Sequence, residues 1–210
     1  CMSGRTNLCA RYYTLGLSTH GGLAEYVAAP SAICVRIPDE LPDHEAVLAQ
    51  PLAVGIHSVN RAAIGPADSV VLLGVGAIGS FICSALRGHD GPVIAVDIEQ
   101  GRLSVAEQLG ATRTEHISAE ATAQDLRELL PQGAQVVFET SGVAGAAERA
   151  FSMAAKGGNV VLVGLNKTPQ PLNLADIVLR EVNVQTTVAH ICGRDIPAAL
   201  DLLVSTPMSG

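Results

Sequence analysis

Tryptophan is absent from the 210 residues, and only three tyrosines and three phenylalanines are present. A core with so few aromatic rings must be built from Val, Leu, Ile and Ala, which is typical of a parallel sheet buried under helices on both faces. Basic residues are also few, because 13 Lys and Arg stand against 20 Asp and Glu, a net charge of −7. This balance argues against a nucleic-acid or anionic-membrane partner.

No apolar run reaches the ~18 residues that would indicate a membrane span. The five cysteines are odd in number and scattered, so they form no disulfide framework of the secreted type. No secretory signal is visible, and we expect a reducing, cytoplasmic location. The chain opens on Cys1 and ends abruptly after a helical pattern, so we expect a piece of a longer protein.

Strand and helix patterns alternate six times from residue 69 onward. Such alternation predicts parallel β-α-β units wound right-handed. We therefore expect an α/β fold, a doubly wound six-stranded parallel sheet of the Rossmann type, in a domain over residues 53–210. The run Val70–Gly74 returns in similar form as Val160–Gly164, as expected where each half of such a sheet begins.

Residues 1–52 differ from the rest because Gly and Pro break them into short pieces. Two strand-like runs stand out, Ala24–Ala28 and Ile33–Ile37. A helical pattern follows, which Asp43 could cap and Pro51 interrupts. We expect this segment to form a separate domain.

A glycine-rich turn, Gly74-Val75-Gly76-Ala77-Ile78-Gly79, lies between an apolar strand and a helix. This G-x-G-x-x-G pattern predicts a phosphate-binding loop, in which Gly74 permits a tight turn, Gly76 admits a pyrophosphate and Gly79 lets helix and strand pack closely. The free N–H groups at the helix N-terminus would hold the phosphates.

Asp97 ends the second predicted strand, the position from which a carboxylate accepts hydrogen bonds from the adenosine ribose. The same charge repels a 2′-phosphate, Glu99 adds to the repulsion, and no basic residue follows until Arg102. The pattern predicts NAD rather than NADP. Two alternatives stay open, a structural turn with a solvated Asp97 and a methyltransferase that binds S-adenosylmethionine.

Taken together, these motifs and several flanking ones resemble the zinc-containing medium-chain dehydrogenases, especially the sorbitol, threonine and butanediol dehydrogenase branch, over essentially the whole chain. Besides the glycine loop, the matching segments are Cys1-x-x-Gly4-x-x-Asn7-Leu8-Cys9, Gly21-Gly22-Leu23-Ala24-Glu25-Tyr26-Val27 and Pro51-Leu52-Ala53-Val54-Gly55-Ile56-His57. The resemblance implies a zinc- and NAD-dependent oxidoreductase that transfers a hydride between a secondary alcohol, diol or polyol and NAD. It makes residues 1–52 the end of a β-rich, GroES-like catalytic domain whose catalytic-zinc region lies upstream.

The resemblance also implies which residues contact the cofactor. All six residues of the glycine loop would contact the pyrophosphate, and Asp97 and Arg102 would lie at the adenosine end. Those implied at the nicotinamide end are Val163, Gly164, Leu165, Thr187, Val188 and Ala189. Thr140, after the fourth strand, would contact the cofactor or cap the following turn.

Metal and catalytic residues follow from the same resemblance. Cys1 and Cys9 have the spacing of the last two ligands of the family's structural zinc, with two ordinary free cysteines as the alternative. Gln50 stands where the polyol branch has a Glu near the zinc and substrate. His57 would line the active site or relay a proton, or be a buried structural histidine.

Two other function classes stay open. A zinc-free medium-chain quinone or enoyl reductase is one, although Cys1, Cys9 and Asp97 count against it, and a non-catalytic dinucleotide-binding module is the other.

The run Val182–Val188 would be an exposed edge strand, which predicts a homodimer or homotetramer. The expected partners are an alcohol substrate and further copies of the chain, with no nucleic acid and no membrane.

Overall fold

The chain forms two compact units in a computed structural model that describes residues 4–206. One unit consists of residues up to 53 together with those from 189, and the other of residues 54–188. The last helix clusters with the first unit rather than with the sheet.

The first unit contains short helices and no paired strand among its described residues. Its helices are two 3-10 turns (Thr6–Leu8 and Ser31–Ile33), α1 (Asp43–Ala46), the first residues of α2 (Ala49–Ala62) and α8 (Cys192–Ser205), which contacts α1. The predicted strands Ala24–Ala28 and Ile33–Ile37 were wrong, and the exposed side chains of Leu23 and Tyr26 lie on no sheet. A strand needs a neighbour for its backbone groups, and the described residues provide only one isolated bridge, between Leu15 and Thr19.

The second unit is a six-stranded, wholly parallel sheet. Its strands are β1 (Val70–Leu73), β2 (Val93–Asp97), β3 (Arg113–His116), β4 (Ala134–Glu139), β5 (Ala154–Leu162) and β6 (Asn183–Thr186). The spatial order is β3-β2-β1-β4-β5-β6, so the chain crosses between β3 and β4 from one half of the sheet to the other. This order confirms the predicted Rossmann fold and leaves a crevice between the loops after β1 and β4.

Two hydrophobic cores cover the two faces of this sheet, because successive side chains of a strand point to opposite sides. Val70 and Leu72 of β1 pack on one face with residues of α3 and α4, whereas Val71 and Leu73 pack on the other with residues of α5 and α6. Val, Leu, Ile and Ala supply most of both cores, and each core also contains one phenylalanine. The central strands β1, β2 and β4 are therefore largely buried on both sides, whereas the edge strands β3 and β6 are partly exposed.

Five helices connect the strands: α3 (Ala77–Ala85), α4 (Gln100–Leu109), α5 (Ala123–Leu129), α6 (Ala146–Met153) and α7 (Leu174–Leu179). Pro51 lies in the first turn of α2, where a missing N–H breaks no hydrogen bond, so it does not interrupt that helix. Asp43 is the first residue of α1 but makes no cap hydrogen bond, since Pro42 is the cap residue. Within residues 4–206, no helix has the length and apolar character that crossing a bilayer requires.

Candidate functional site

The glycine loop leaves β1 in a conformation that three glycines make possible. Gly74 has a φ of +92°, the left-handed region that side chains disfavour. A Cβ on Gly79 would lie 2.2 Å from the carbonyl oxygen of Gly74, so only glycine fits there. Gly76 is the cap residue of α3, and the space around its Cα is open. The loop is thus tight between Gly74 and Gly79 and accessible at Gly76.

Asp97 fixes this loop from the end of β2. Its Oδ2 accepts a hydrogen bond from the Val75 N–H at 2.7 Å, and its Oδ1 accepts one from the Glu99 N–H at 2.9 Å. The Nη1 atom of Arg102, on α4, lies 3.6 Å from Oδ1. The carboxylate is buried, and it has a positioning role that sequence reasoning, which assigned it to the ribose alone, missed.

Thr140 supports the loop from the other side, at the end of β4. Its hydroxyl donates to the carbonyl oxygens of Leu73 and Gly74, and its Oγ1 would lie 3.0 Å from a Cβ on Gly79. Thr140 therefore positions the glycine turn and caps no helix, while it also lines the cavity described below.

Glu139, the last residue of β4, is a second buried carboxylate that sequence reasoning missed. Its Oε1 accepts hydrogen bonds from the N–H and hydroxyl of Ser141 and from the N–H of Gly142, all within 2.9 Å. A Cβ on Gly164 would lie 2.3 Å from the Gly142 nitrogen, so the turns after β4 and β5 are in close contact. The available signal was an acid that ends an apolar strand, as Asp97 ends β2.

A cavity of about 480 Å³ opens between the loops that follow β1, β2, β3 and β4. Its lining includes Gly74, Gly76, Asp97, Arg102, Thr140 and Arg149. The guanidinium of Arg149 donates to the carbonyl of Ala121, after β3, and to that of Ala144, after β4. The cavity thus combines an open helix N-terminus, a carboxylate beside the glycine loop and two arginines, a set that fits the phosphates and ribose of a dinucleotide.

The residues predicted for the nicotinamide end follow β5 and β6. Val163 and Gly164 donate their N–H groups to the backbone oxygen of Glu139, and the side chain of Leu165 is exposed. The hydroxyl of Thr187 is buried and has no hydrogen-bond partner among the described residues, so a polar group of a ligand would satisfy it. Ala189 has a φ of +51°, and Val188 is half-exposed.

Gln50 and His57 lie on the same helix, α2, in different surroundings. Gln50 is exposed and lines a second cavity, of about 680 Å³ and within the first unit, together with His190. His57 is 4% exposed, and this burial favours the structural interpretation over a proton relay. The catalytic roles of Gln50 and His57 stay predictions. The cofactor contacts predicted for the glycine loop and for the residues after β2, β4, β5 and β6 stay predictions as well.

Zinc was predicted on Cys1 and Cys9. Cys1 lies outside the described residues, and Cys9, which follows the first 3-10 turn, is disulfide-bonded. Across residues 4–206, no group of three or more His, Cys, Asp or Glu side chains could hold a metal ion. The described donors therefore do not fit a zinc site.

Comparison with known proteins agrees with this geometry. A sequence profile described as "Zinc-binding dehydrogenase" matches residues 77–205. L-idonate 5-dehydrogenase of Vitis vinifera is 33% identical over 88% of this chain and 52% of its own length. Galactitol-1-phosphate dehydrogenase of Escherichia coli superposes with a TM-score of 0.89 at 26% identity, over 100% of this chain and 63% of that one.

A zinc-binding dehydrogenase of Sinorhizobium meliloti, solved with NADP, superposes with a TM-score of 0.85 at 28% identity, over 98% of this chain and 61% of that one. The chain thus spans 52–63% of the length of these three relatives. The profile covers more than half of the described residues, including α3, Asp97 and both turns after β4 and β5. On these grounds the chain belongs to the zinc-binding dehydrogenase family.

Proposed function

We propose that this chain binds NAD in the 480 Å³ cavity and that the protein transfers a hydride between a secondary alcohol, diol or polyol and NAD. The observation that carries the proposal is the open Gly76 turn beside the buried Asp97 carboxylate in the lining of one cavity, with Asp97 accepting from the Val75 N–H of that turn. The relatives named above, which act on idonate and galactitol 1-phosphate, support the class of substrate. When bound, NAD supplies the hydride acceptor.

Different residues of the chain would bind different parts of the nucleotide. The N–H groups at the start of α3 face the phosphates, and Asp97 accepts from the ribose hydroxyls with its remaining lone pairs. Arg102 lies beside Asp97 and lines the same cavity, so its charge would be available to a 2′-phosphate. The preference between NAD and NADP therefore depends on the balance of these two side chains.

Titration calorimetry with NADH and NADPH tests this proposal. We expect the unchanged chain to bind NADH more tightly. Asp97→Asn keeps an oxygen that accepts the Val75 N–H but removes the charge, so the NADPH-to-NADH ratio of dissociation constants should fall about tenfold, or ~1.4 kcal/mol. A chain that bound neither nucleotide would contradict the proposed function, and equal binding by the unchanged chain would contradict the NAD preference.

Asp90→Asn is the matched control, because Asp90 is an exposed carboxylate in the turn between α3 and β2, outside the cavity. It changes the net charge as Asp97→Asn does and should leave the ratio unchanged. Hydride transfer is tested separately, by NADH formation from NAD with a panel of diols and polyols. Nucleotide binding without turnover would favour the alternative of a non-catalytic dinucleotide-binding module.

We also propose that two copies pair through β6, the edge strand of the sheet. Val184 on this strand and Val188 after it are half-exposed, and an uncovered apolar edge favours pairing with another strand. Light scattering should give a dimer or tetramer for the unchanged chain, and Val184→Lys, which places a charge at the edge, should give a monomer. Val105→Lys, at an exposed position on α4, is the control and should stay oligomeric. A monomeric unchanged chain would contradict the pairing.

We place the protein in the cytoplasm, the location predicted from its scattered cysteines. Three of the four described cysteines carry free thiols, as is usual in a reducing compartment, whereas Cys9 is disulfide-bonded. Fractionation of cells that express the protein would test this location.

A further inference from the structure

Two free thiols of the first unit, Cys34 and Cys192, are neighbours in the fold although they are far apart in the sequence. Cys34 follows the 3-10 turn Ser31–Ile33 and is exposed, and Cys192 is the first residue of α8 and is half-buried. The Sγ of Cys192 donates to the carbonyl oxygen of Ile33 at 3.4 Å. That carbonyl belongs to the peptide group that leads into Cys34, so the Cys192 thiol contacts the backbone that carries the other cysteine.

The two thiols also interact electrostatically. Burial raises the pKa of the Cys192 thiol, and the neighbouring Cys34 raises it further. Cys192 is therefore held in its protonated form and is partly shielded, whereas the Cys34 sulfur is open to solvent and to oxidants. One cysteine is accessible, and the other is close to it and partly buried. In this arrangement a second thiol can react with the first oxidation product of the accessible cysteine.

We propose that Cys34 and Cys192 form a site of reversible oxidation that closes into a disulfide when it reacts with a peroxide. In the first step the Cys34 thiolate attacks one peroxide oxygen, the O–O bond breaks, and with hydrogen peroxide a hydroxide leaves, so that Cys34 becomes a sulfenic acid. In the second step the Cys192 sulfur attacks the sulfenic sulfur, the S–O bond breaks, and the oxygen leaves as water. Overall, two thiols and one hydrogen peroxide give one disulfide and two waters.

The disulfide would lie at the rim of the 680 Å³ cavity of the first unit. Ile33 and Cys192 both line this cavity, as do Gln50 and His190. Oxidation would therefore tie the Ser31–Ile33 turn to the beginning of α8, and a small dithiol would release it by thiol–disulfide exchange. The residues of this site all belong to the first unit, whereas the lining of the 480 Å³ cavity belongs to the second.

Peptide mapping tests the proposal directly. The dilute protein is treated with stoichiometric hydrogen peroxide, unfolded, alkylated, digested and analysed by mass spectrometry. We expect the peptides of Cys34 and Cys192 to be joined, with both thiols lost together and both restored by a phosphine reductant. Cys83 is the internal control, because burial raises the pKa of its thiol to about 11, and it should stay reduced.

Two variants assign the order of the steps. In Cys192→Ser the sulfenic acid on Cys34 has no thiol to capture it, so labelling of Cys34 by dimedone should rise severalfold above that of the unchanged chain. In Cys34→Ser, Cys192 should stay a thiol. The proposal would be overturned by equal dimedone labelling with and without Cys192, by a disulfide from Cys34 to any other cysteine, including one of a second molecule, or by two unreacted thiols.

Discussion

Gly79→Ala is expected to destabilise the sheet unit by about 3 kcal/mol, the upper range for forcing an extra methyl group into a packed site. The new Cβ would lie 2.2 Å from the carbonyl oxygen of Gly74, a backbone atom that cannot turn away. Gly74 itself is fixed by its hydrogen bond to the Val96 carbonyl and by the Thr140 hydroxyl. The clash must therefore displace α3 from β1, and urea unfolding should show a clearly lower midpoint.

Gly76→Ala is the informative partner of this variant. No atom lies within 4 Å of the position its Cβ would take, so its stability should change by less than about 0.5 kcal/mol. The methyl group would nevertheless stand where the proposed pyrophosphate approaches the backbone, and NADH affinity should fall at least tenfold, about 1.4 kcal/mol. Equal unfolding midpoints for both variants would contradict the assignment of a packing role to Gly79 and an access role to Gly76.

Glu139→Leu is the second change with a large expected effect. The carboxylate accepts from two backbone N–H groups and one hydroxyl in the turn after β4, and leucine offers no acceptor in its place. Each partly buried donor left without a partner costs roughly 1–3 kcal/mol, so a loss of about 3 kcal/mol is expected after partial rehydration of the turn. Because Thr140 and Ser141 line the cavity, NADH binding should weaken as well.

Glu139→Gln separates hydrogen bonding from charge. Its amide keeps one acceptor oxygen of nearly the same shape, so the turn should hold, and the loss of stability should stay near 1 kcal/mol. Both variants are measured by urea unfolding and by NADH titration. If Gln and Leu destabilised the unit equally, the carboxylate would act through its charge, and the account of Glu139 as an acceptor for this turn would be wrong.

The sheet unit could be predicted well because its local patterns and its final contacts agree. Strands and helices alternate as predicted from residue 69 onward, and the second strand ends at Asp97 as predicted. Short apolar runs between glycines and amphipathic helices leave few other ways to bury the same side chains. The glycine loop could be predicted for the same reason, since the tight turn at Gly74 and the close packing at Gly79 are local steric requirements.

What the sequence did not reveal depends on contacts between distant residues. The segments Ala24–Ala28 and Ile33–Ile37 have strand-like composition, but a strand forms only where a partner strand is present. Among the described residues, no strand pairs with either segment. Asp97 and Glu139 were readable as acids at strand ends, but not as acceptors for particular loop N–H groups. Likewise, no local pattern could bring Cys34 and Cys192 together, because their proximity results from the packing of α8 in the first unit.

The membership of α8 in the first unit has a consequence for synthesis on the ribosome. The segment of residues 54–188 is continuous, so the sheet unit has all its strands and helices as soon as that stretch has emerged. Translation of the first unit begins before that stretch, but the unit also includes α8. Its early residues can therefore make their contacts with α8 only after this helix has been translated. Domains otherwise tend to fold in the order of their appearance. In this chain the unit that is translated first is the one completed last.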